Sequence, residues 1–304
     1  MIVFTPQEFL SAYSAERFPA TAPATPRAAF LVAPHGFGLA AESATDNRYM
    51  AMQAPVDPAR ALVEHAALAA ALRESVPTIV FPGDQATPDA VFPNNVFATA
   101  RGRLVVGAMR HAVRRREAAR ADIRAFFRDL LACEIVDLST LPVVAELTGS
   151  IVIDRARGIG YCGLSERCDR AGAQALHDAF GLMLTFCFEL ARGEYHTNVV
   201  LAQLASRALI VAPDGFADPA AAEAIVSVYA PRVLRIDAAQ KAAFAGNAIA
   251  LDTGSVWMSA RAAAALTREQ RDALVDWGFA LRSVELDEIE KAGGSLRCCV
   301  GEIF

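Results

Sequence analysis

The chain repeats one unit of secondary structure, in which a β-hairpin is followed by an α-helix and a further strand. Runs rich in β-branched residues around Gly-containing turns predict the hairpins, and Ala- and Leu-rich runs predict the helices. Four complete units are predicted, with hairpin, helix and strand at 95–109, 112–132 and 134–138; at 150–165, 169–180 and 182–190; at 197–213, 218–230 and 232–237; and at 247–260, 268–279 and 281–286.

A fifth unit is divided between the two ends of the chain. Its parts are strands at 28–34 and 78–83, a helix at 57–75 that opens with Asp-Pro, and a last segment at 295–304. Internal repeats of this length are typical of propeller-like or circular arrays. Closure requires the C-terminal segment to pair near the first strand, which removes exposed sheet edges. We therefore expect a single α/β domain over 1–304, with residues 1–27 as a lead-in segment.

Polar or glycine residues recur where each hairpin begins. The markers Asn94, Gly149, His196, Asn247 and Cys298 follow one another at intervals of 47 to 55 residues. In a closed array, residues at one phase of the repeat lie at one end of the central axis. A Cys, a His, a Glu and several Asn brought to one point form a candidate site for covalent catalysis.

Composition excludes several other classes of function. The chain has 304 residues, 54% of them hydrophobic, which is enough for a large core. The net charge is −5 and the arginines are scattered, so the sequence does not indicate the basic surface that nucleic-acid binding requires. No uninterrupted apolar run reaches the ~18 residues of a membrane span. The N-terminus does not resemble a signal peptide, so we expect a cytoplasmic protein whose six cysteines are reduced thiols.

Cofactor motifs are missing from the sequence. There is no H-E-x-x-H, no Cys/His cluster at metal-ligand spacing, no G-x-G-x-x-G and no P-loop. We therefore expect chemistry without a metal or a nucleotide cofactor, carried out by side chains.

Four motifs together resemble the pentein superfamily of guanidine-modifying enzymes, which includes arginine deiminases, dimethylarginine dimethylaminohydrolases and amidinotransferases. The motifs are "PDAVFPNNVF" (88–97), "ELTGSIVIDR" (146–155), "YHTNVV" (195–200) and "GGSLRCCVGEIF" (293–304). The pattern is most similar to the bacterial branch of amidinotransferase-like or citrulline-utilisation hydrolases, and it extends from about residue 30 to 304. The resemblance implies a five-bladed α/β propeller, the pentein fold.

The resemblance also implies catalytic roles for three residues. Cys298 matches the nucleophile, and a neighbouring cation such as Arg297 would lower the pKa of its thiol. His196 matches the general acid/base, because an imidazole can protonate a leaving amine and then activate water. Glu146 matches an acid that orients the His or holds a substrate nitrogen, although Leu147 stands where relatives have Gly. The alternative for Cys298 is a small buried hydrophobe, and we expect that role for Cys299.

Three further residues match positions that bind the amino-acid part of the substrate. Asp89 matches a residue that meets the α-amino group in the dimethylarginine enzymes. Arg114 and Arg167 match residues that hold the α-carboxylate, a planar anion suited to bidentate binding by guanidinium. The alternative for both arginines is a surface salt bridge.

Three asparagines depart from the pattern of arginine-processing relatives. Asn94, Asn95 and Asn198 stand at positions where those relatives carry carboxylates that bind a guanidinium cation. Burying a cation without anions is costly, whereas a neutral ureido group presents a carbonyl and N–H groups that Asn can pair with. This favours a ureido substrate such as citrulline; the alternative is that these residues only cap turns.

The expected activity is therefore hydrolysis of a C–N bond in an arginine-like amino acid, with citrulline giving ornithine. Deimination of arginine, hydrolysis of dimethylarginine and amidino transfer remain alternatives, as does a non-catalytic binding protein of the same fold. We expect a small-molecule partner, neither nucleic acid nor membrane, and allow for a homo-oligomer. Residues 35–54 are a candidate lid.

Overall fold

The computed structural model describes residues 1–304 and contains fifteen strands in five separate sheets. The strands are β1 (Ile2–Val3), β2 (Ala28–Val32), β3 (Thr78–Phe81), β4 (Phe97–Ala100), β5 (Arg103–Val106), β6 (Glu134–Asp137), β7 (Ile151–Asp154), β8 (Ile159–Leu164), β9 (Leu184–Glu189), β10 (Leu201–Leu204), β11 (Ala208–Val211), β12 (Val233–Arg235), β13 (Ser255–Ser259), β14 (Ala280–Val284) and β15 (Gly301–Ile303).

Fourteen α-helices lie between the strands, and several are single turns. They are α1 (Pro6–Ala15), α2 (Ala41–Ala44), α3 (Pro58–Leu72), α4 (Ala112–Ala118), α5 (Ala121–Ala125), α6 (Leu147–Ser150), α7 (Arg170–Phe180), α8 (Thr197–Val200), α9 (Pro219–Tyr229), α10 (Ala238–Ala242), α11 (Ala260–Ala265), α12 (Arg268–Asp276), α13 (Asp287–Glu290) and α14 (Leu296–Cys299). Short 3₁₀ turns occur at Pro93–Asn95, Leu138–Thr140 and Pro213–Gly215, and Phe126–Leu130 is π-helical.

The sheets repeat the predicted unit. In the sheets β4-β5-β6 and β10-β11-β12, an antiparallel hairpin is followed by a parallel strand that arrives after a helix. The strands β7, β8 and β9 are arranged in the same way. The fourth unit is reduced to β13 and β14, because the expected hairpin over 247–260 forms only one antiparallel bridge, between Ile249 and Trp257.

The fifth sheet joins the two ends of the chain, as expected for the divided unit. β15 pairs antiparallel with β2, so that Gly301 lies opposite Phe30, and β2 pairs in parallel with β3. Gly301 has to be a glycine, because a Cβ there would collide with the ring of Phe30. This pairing holds the segment that carries Cys298 in place.

The lead-in segment contains more structure than expected. β1 extends the sheet of β7–β9 by pairing in parallel with β9. α1 begins with a capping box in which Thr5 and Glu8 exchange side-chain and backbone hydrogen bonds. The helix buries Phe9, whose ring stacks on Phe186 at 4.8 Å. The sequence analysis did not predict this strand and helix, although the capping box at Thr5 and Glu8 could have indicated the helix.

One helix prediction also needs correction. The segment expected as one helix over 112–132 is broken into α4, α5 and the π-helical turn, and the break falls at Arg120. Arg120 has extended rather than helical ψ, and its guanidinium donates to Pro82 O at 2.7 Å and to Asp122. A tertiary contact of the side chain thus accompanies the break in local helical periodicity. Together these elements form a mixed α/β fold of five small sheets.

Candidate active site

Four short turns, each lying directly before the first strand of a sheet or hairpin, meet at one place in the molecule. They are α6, α8, α14 and the 3₁₀ turn at Pro93–Asn95, and neighbouring turns contact one another. The turns carry Asn94, Gly149, Asn198 and Cys298, and His196 caps α8. Side chains separated by about fifty residues in sequence are thus brought together at the same end of the sheets.

The thiol of Cys298 is buried among amides. Asn247 Nδ2 lies 3.3 Å from Cys298 Sγ, and Asn198 Nδ2 lies 3.7 Å from it. The backbone N–H of Cys298 donates to Asn247 Oδ1 at 3.3 Å. Burial raises the pKa of the Cys298 thiol, and the amide donors together with the charge of Arg297 oppose this only in part. The thiol is therefore protonated at neutral pH.

His196 is linked to Glu146 and Arg167 in a fully buried chain. His196 Nε2 lies 2.9 Å from Glu146 Oε2, and Arg167 Nη1 donates to the same oxygen at 3.1 Å. Burial by itself would raise the pKa of the Glu146 carboxyl, but the charge of Arg167 and the hydrogen bond from His196 outweigh it, and the pKa lies well below its usual value. The carboxylate accepts, so Nε2 carries the proton.

The other ring nitrogen of His196 has no hydrogen-bond partner. Burial lowers the pKa of His196, although the hydrogen bond to Glu146 opposes that shift. The imidazole is therefore neutral at pH 7, with a free lone pair on Nδ1. This is the state required of a general base.

Gly149 makes room for two unpartnered atoms. A Cβ at this position would lie 2.5 Å from Asn95 Oδ1 and 2.8 Å from His196 Nδ1. Both of these atoms lack a hydrogen-bond partner and so face the same space. Leu147, two residues earlier, has φ 28°, a backbone conformation that favours glycine.

A small cavity lies beside these groups. Its lining includes Asp89, Asn95, Arg114, Tyr195 and Cys298. Asp89 accepts a hydrogen bond from the hydroxyl of Ser43 at 2.5 Å through Oδ2, while its Oδ1 has no partner. Burial raises the pKa of Asp89, and the charge of Arg114 opposes this.

The two arginines are buried but differ in their free donors. Arg114 forms a bidentate pair with Glu117 at 2.7 and 2.9 Å and donates to Phe92 O, so its Nη1 makes no hydrogen bond. In Arg167 every guanidinium nitrogen donates, to Glu146, Asp46 or Ser43 O. The surface salt bridge expected as the alternative for Arg114 and Arg167 is wrong, because both side chains are buried.

The side chains of Asn94 and Asn95 do not cap their turn. No side-chain hydrogen bond caps the 3₁₀ turn. Hydrogen-bond partners are missing for Nδ2 and Oδ1 of Asn94 and for Oδ1 of Asn95. The turn is held instead by Thr148 Oγ1, which donates to Asn94 O at 3.0 Å. Two amides are thus left with hydrogen-bonding capacity at the site.

Two site residues were missed by the sequence analysis. Asn247 was noted only as a repeat marker, although it contacts both the thiol and the backbone of Cys298. Asp46, in the candidate lid, pairs with Arg167 at 2.6 Å and lies 3.0 Å from His111 Nε2. The repeat phase could have revealed Asn247, whereas no motif surrounds Asp46.

No helix of the structure is long and apolar enough to cross a membrane.

The fold and this constellation define the class of protein: a pentein of the arginine-modifying kind. Residues 33–304 match the family model described as eukaryotic N,N dimethylarginine dimethylhydrolase, and the chain belongs to this family. No curated protein sequence matches the chain significantly.

Solved structures agree with this assignment at the level of the fold. The N-terminal domain of ArgZ, described as an arginine dihydrolase from the ornithine-ammonia cycle in cyanobacteria, has a TM-score of 0.78 at 18% identity, covering 91% of this chain and 97% of that domain. Unliganded AgrE has a TM-score of 0.78 at 20% identity over 91% of this chain and 39% of its own. A dimethylarginine dimethylaminohydrolase bound to 4-chloro-2-hydroxymethylpyridine has a TM-score of 0.69 at 20% identity, covering 91% and 99%.

Proposed function

We propose that the chain is a cysteine-dependent hydrolase of the C–N bond in an arginine-like amino acid, and that it converts citrulline to ornithine. The observation that carries the proposal is the neutrality of the groups around Cys298. Asn198 and Asn247 lie on the thiol, and Asn94 and Asn95 keep free amide groups nearby. A ureido group can use these donors and acceptors without bringing a charge into the site.

The carboxylates near the cavity that are already paired with protein groups support the same proposal. Glu146 is paired with Arg167 and His196, and Glu117 is paired with Arg114. Neither is free to neutralise a guanidinium cation. Asp89 retains one unpartnered oxygen, which suits the α-amino group, and Arg114 retains Nη1 for the α-carboxylate. In this proposal Arg167 assists through its positive charge and by holding Glu146.

The first half of the reaction transfers the carbamoyl group to sulfur. Cys298 Sγ bonds to the ureido carbon while its proton passes to His196 Nδ1, and the carbonyl electrons move onto oxygen. Side-chain amides stabilise the resulting oxyanion. The oxyanion collapses, the bond to the δ-nitrogen breaks, and that nitrogen takes the proton from His196 and leaves as ornithine.

The second half releases the carbamoyl group. Water adds to the thiocarbamoyl carbon while His196 accepts its proton, and Glu146 stabilises the imidazolium that forms. Collapse of this intermediate expels the sulfur, which recovers the proton. The carbamic acid that leaves decomposes to ammonia and carbon dioxide, so one citrulline and one water give ornithine, ammonia and carbon dioxide.

The arrangement that supports this chemistry is a ring of five blades, which we also propose. The sheet of β15 contacts the sheet of β4, and the sheet of β7 contacts that of β10, in the order expected around an axis. α14 contacts β13, which links the last unit to the one before it. An experimental structure whose five sheets fail to surround one axis would contradict this arrangement.

The test is to incubate the protein with citrulline, arginine or asymmetric dimethylarginine and to quantify ornithine and citrulline in each reaction. We expect ornithine from citrulline, and none from the Cys298→Ser variant. Cys133→Ser is the matched control, since Cys133 lies far along the chain in the turn before β6. Turnover of arginine or dimethylarginine without turnover of citrulline would refute the ureido assignment.

A guanidino substrate is the second candidate. Asp89 is the one carboxylate of the cavity with an unpartnered oxygen, and it could bind a guanidinium instead of an α-amino group. The same residues would then displace ammonia or an alkylamine from the guanidino carbon. Citrulline accumulating from arginine, without further conversion, would support this candidate.

A further inference from the structure

A second cavity lies between the hairpin strands, beneath the turns that carry the candidate site. Thr148 and Asn198 of the turns form part of its lining. Arg155, Gln203 and Arg297 line it farther along the strands. Arg155 and Gln203 take no part in the proposed catalysis.

An adjoining, more open cavity shares Arg155 with the first. Phe180 and Phe304 line it, together with residues 21–23 of the lead-in segment. The Arg155 guanidinium carbon lies 4.4 Å from the centre of the Phe304 ring and 5.1 Å from that of Phe180. Arg155 therefore stands at the junction of two spaces, with aromatic rings beside it.

Positive charge is in excess around these spaces. The charged residues that line them are three arginines and one glutamate: Arg101, Arg155, Arg297 and Glu302. Glu302 is paired with Arg297 at 2.7 Å. Arg155 has no carboxylate partner and donates only to Thr99 O at 3.0 Å, while Gln203 Nε2 has no acceptor at all.

Arg155 is half-buried, and no carboxylate pairs with its charge. Burial lowers the pKa of the Arg155 guanidinium to about 10, and Glu302 offsets this only partly. A guanidinium stays charged in proteins, so a buried one without an anion costs free energy that a bound anion would recover.

We propose that this pair of cavities is a binding site for a small organic carboxylate with a short apolar body. The carboxylate pairs with Arg155, whose planar guanidinium suits bidentate contact, and accepts a hydrogen bond from Gln203 Nε2. The apolar body lies against the alkyl and aromatic side chains of the lining.

Occupation of this site changes the reactivity of Cys298. Arg297 lines the cavity and precedes Cys298 in the chain, and its charge opposes the rise in the pKa of the thiol. A carboxylate bound to Arg155 adds negative charge to the cavity that Arg297 also lines, which weakens that electrostatic effect, so less thiolate forms at a given pH. The ligand therefore acts as an inhibitor from outside the candidate active site.

The experiment measures the binding of butyrate by isothermal titration calorimetry at constant ionic strength. We expect saturable binding of butyrate, no binding of the neutral isostere butyramide, and a Kd at least about tenfold weaker for Arg155→Gln. Arg128→Gln is the matched control, because Arg128 is an exposed arginine paired only with its neighbour Asp129. Arg155→Lys keeps the charge and should bind more tightly than Arg155→Gln.

The second readout is alkylation of Cys298 by iodoacetamide. Butyrate should slow alkylation of the wild type and of Arg128→Gln but leave Arg155→Gln unchanged. Phosphate in place of butyrate distinguishes a general anion site, and binding of phosphate alone would overturn the carboxylate assignment. Absence of butyrate binding, or equal binding by wild type and Arg155→Gln, would overturn the proposal. None of these measurements depends on turnover of citrulline.

Discussion

At the scale of single residues, the site holds its proposed nucleophile and base in their uncharged forms. Burial raises the pKa of Cys298 and lowers that of His196, so a thiol and a neutral imidazole coexist at pH 7. A preformed thiolate–imidazolium pair would require stronger charges next to the thiol than two amides supply. In the proposed mechanism the thiol is therefore activated when substrate binds, through transfer of its proton.

The first prediction concerns the pH dependence of Cys298 alkylation. Because burial raises the pKa of the thiol above its usual 9.0, the rate of modification by iodoacetamide should keep increasing beyond pH 9. Mass spectrometry of the peptide that contains Cys298 measures this rate. A plateau near pH 7 would show that the thiol is already ionised there and would contradict the neutral resting state.

The second prediction concerns specificity. Asn95→Asp places a carboxylate beside the cavity, where it would stabilise a guanidinium and repel a ureido oxygen. We expect the ratio of kcat/KM for arginine to that for citrulline to rise by at least about tenfold. Asn95→Ala is the control, since it should lower both values without favouring arginine. An unchanged ratio for Asn95→Asp would mean that residue 95 does not face the reacting group.

At the scale of elements, the site is built from single helical turns placed before strands. Each turn is anchored by the strand that follows it, which is three or four residues long and forms backbone hydrogen bonds in its sheet. α6 carries both Gly149 and the strained Leu147, and Ser150 O in the same turn accepts a hydrogen bond from Thr197 Oγ1 at 2.5 Å. The turns are therefore locked to one another by side-chain contacts between repeats.

The third prediction tests the packing of α6. Gly149→Ala would push a Cβ against Asn95 Oδ1 and His196 and displace the base, which should lower kcat by about a hundredfold. Gly254→Ala is the matched control, because its Cβ would meet only Asp252 Oδ1, at 3.6 Å. Thermal unfolding followed by circular dichroism separates a displaced base from loss of the fold. Wild-type activity of Gly149→Ala would show that His196 does not take part.

At the scale of the whole molecule, buried polar residues connect distant parts of the chain. Asp46, in residues 35–54, holds Arg167, which in turn holds Glu146 and through it His196. Residues 35–54, first considered as a lid, thus supply Asp46 as a direct contact of Arg167 in the candidate site.

Away from the candidate site, His65 is buried in α3, and its Nε2 has no hydrogen-bond partner.

The fourth prediction is that the protein loses stability in mild acid. Burial lowers the pKa of His65 to about 4, so below pH 6.5 the unfolded chain binds a proton that the folded one does not. Stability therefore falls as pH decreases from about 6.5 toward 4, by up to roughly 2 kcal/mol at pH 5 from this residue. Urea unfolding at pH 7 and pH 5 measures the difference. His65→Gln should reduce it, and an equal loss in that variant would assign the effect to other groups.

Local pattern and repeat phase determined much of this protein without coordinates. Alternating apolar runs identified most strands, and the recurring polar markers identified the turns that carry Cys298 and His196. These strands and turns can be predicted from the sequence because hydrogen bonding within a hairpin or a helix depends on residues that are close in sequence. The same local logic would have recognised α1 from its capping box.

Only the tertiary structure decided which charged groups pair and which stay free. That Arg167 is held by Asp46 and that Arg155 lacks a carboxylate both depend on which groups from separate units meet. The break near Arg120 is likewise accompanied by a tertiary contact, with Pro82 O. The free energy of a charged group depends on its burial and on the groups that it meets across the fold, and the spacing of residues along the chain does not predict either.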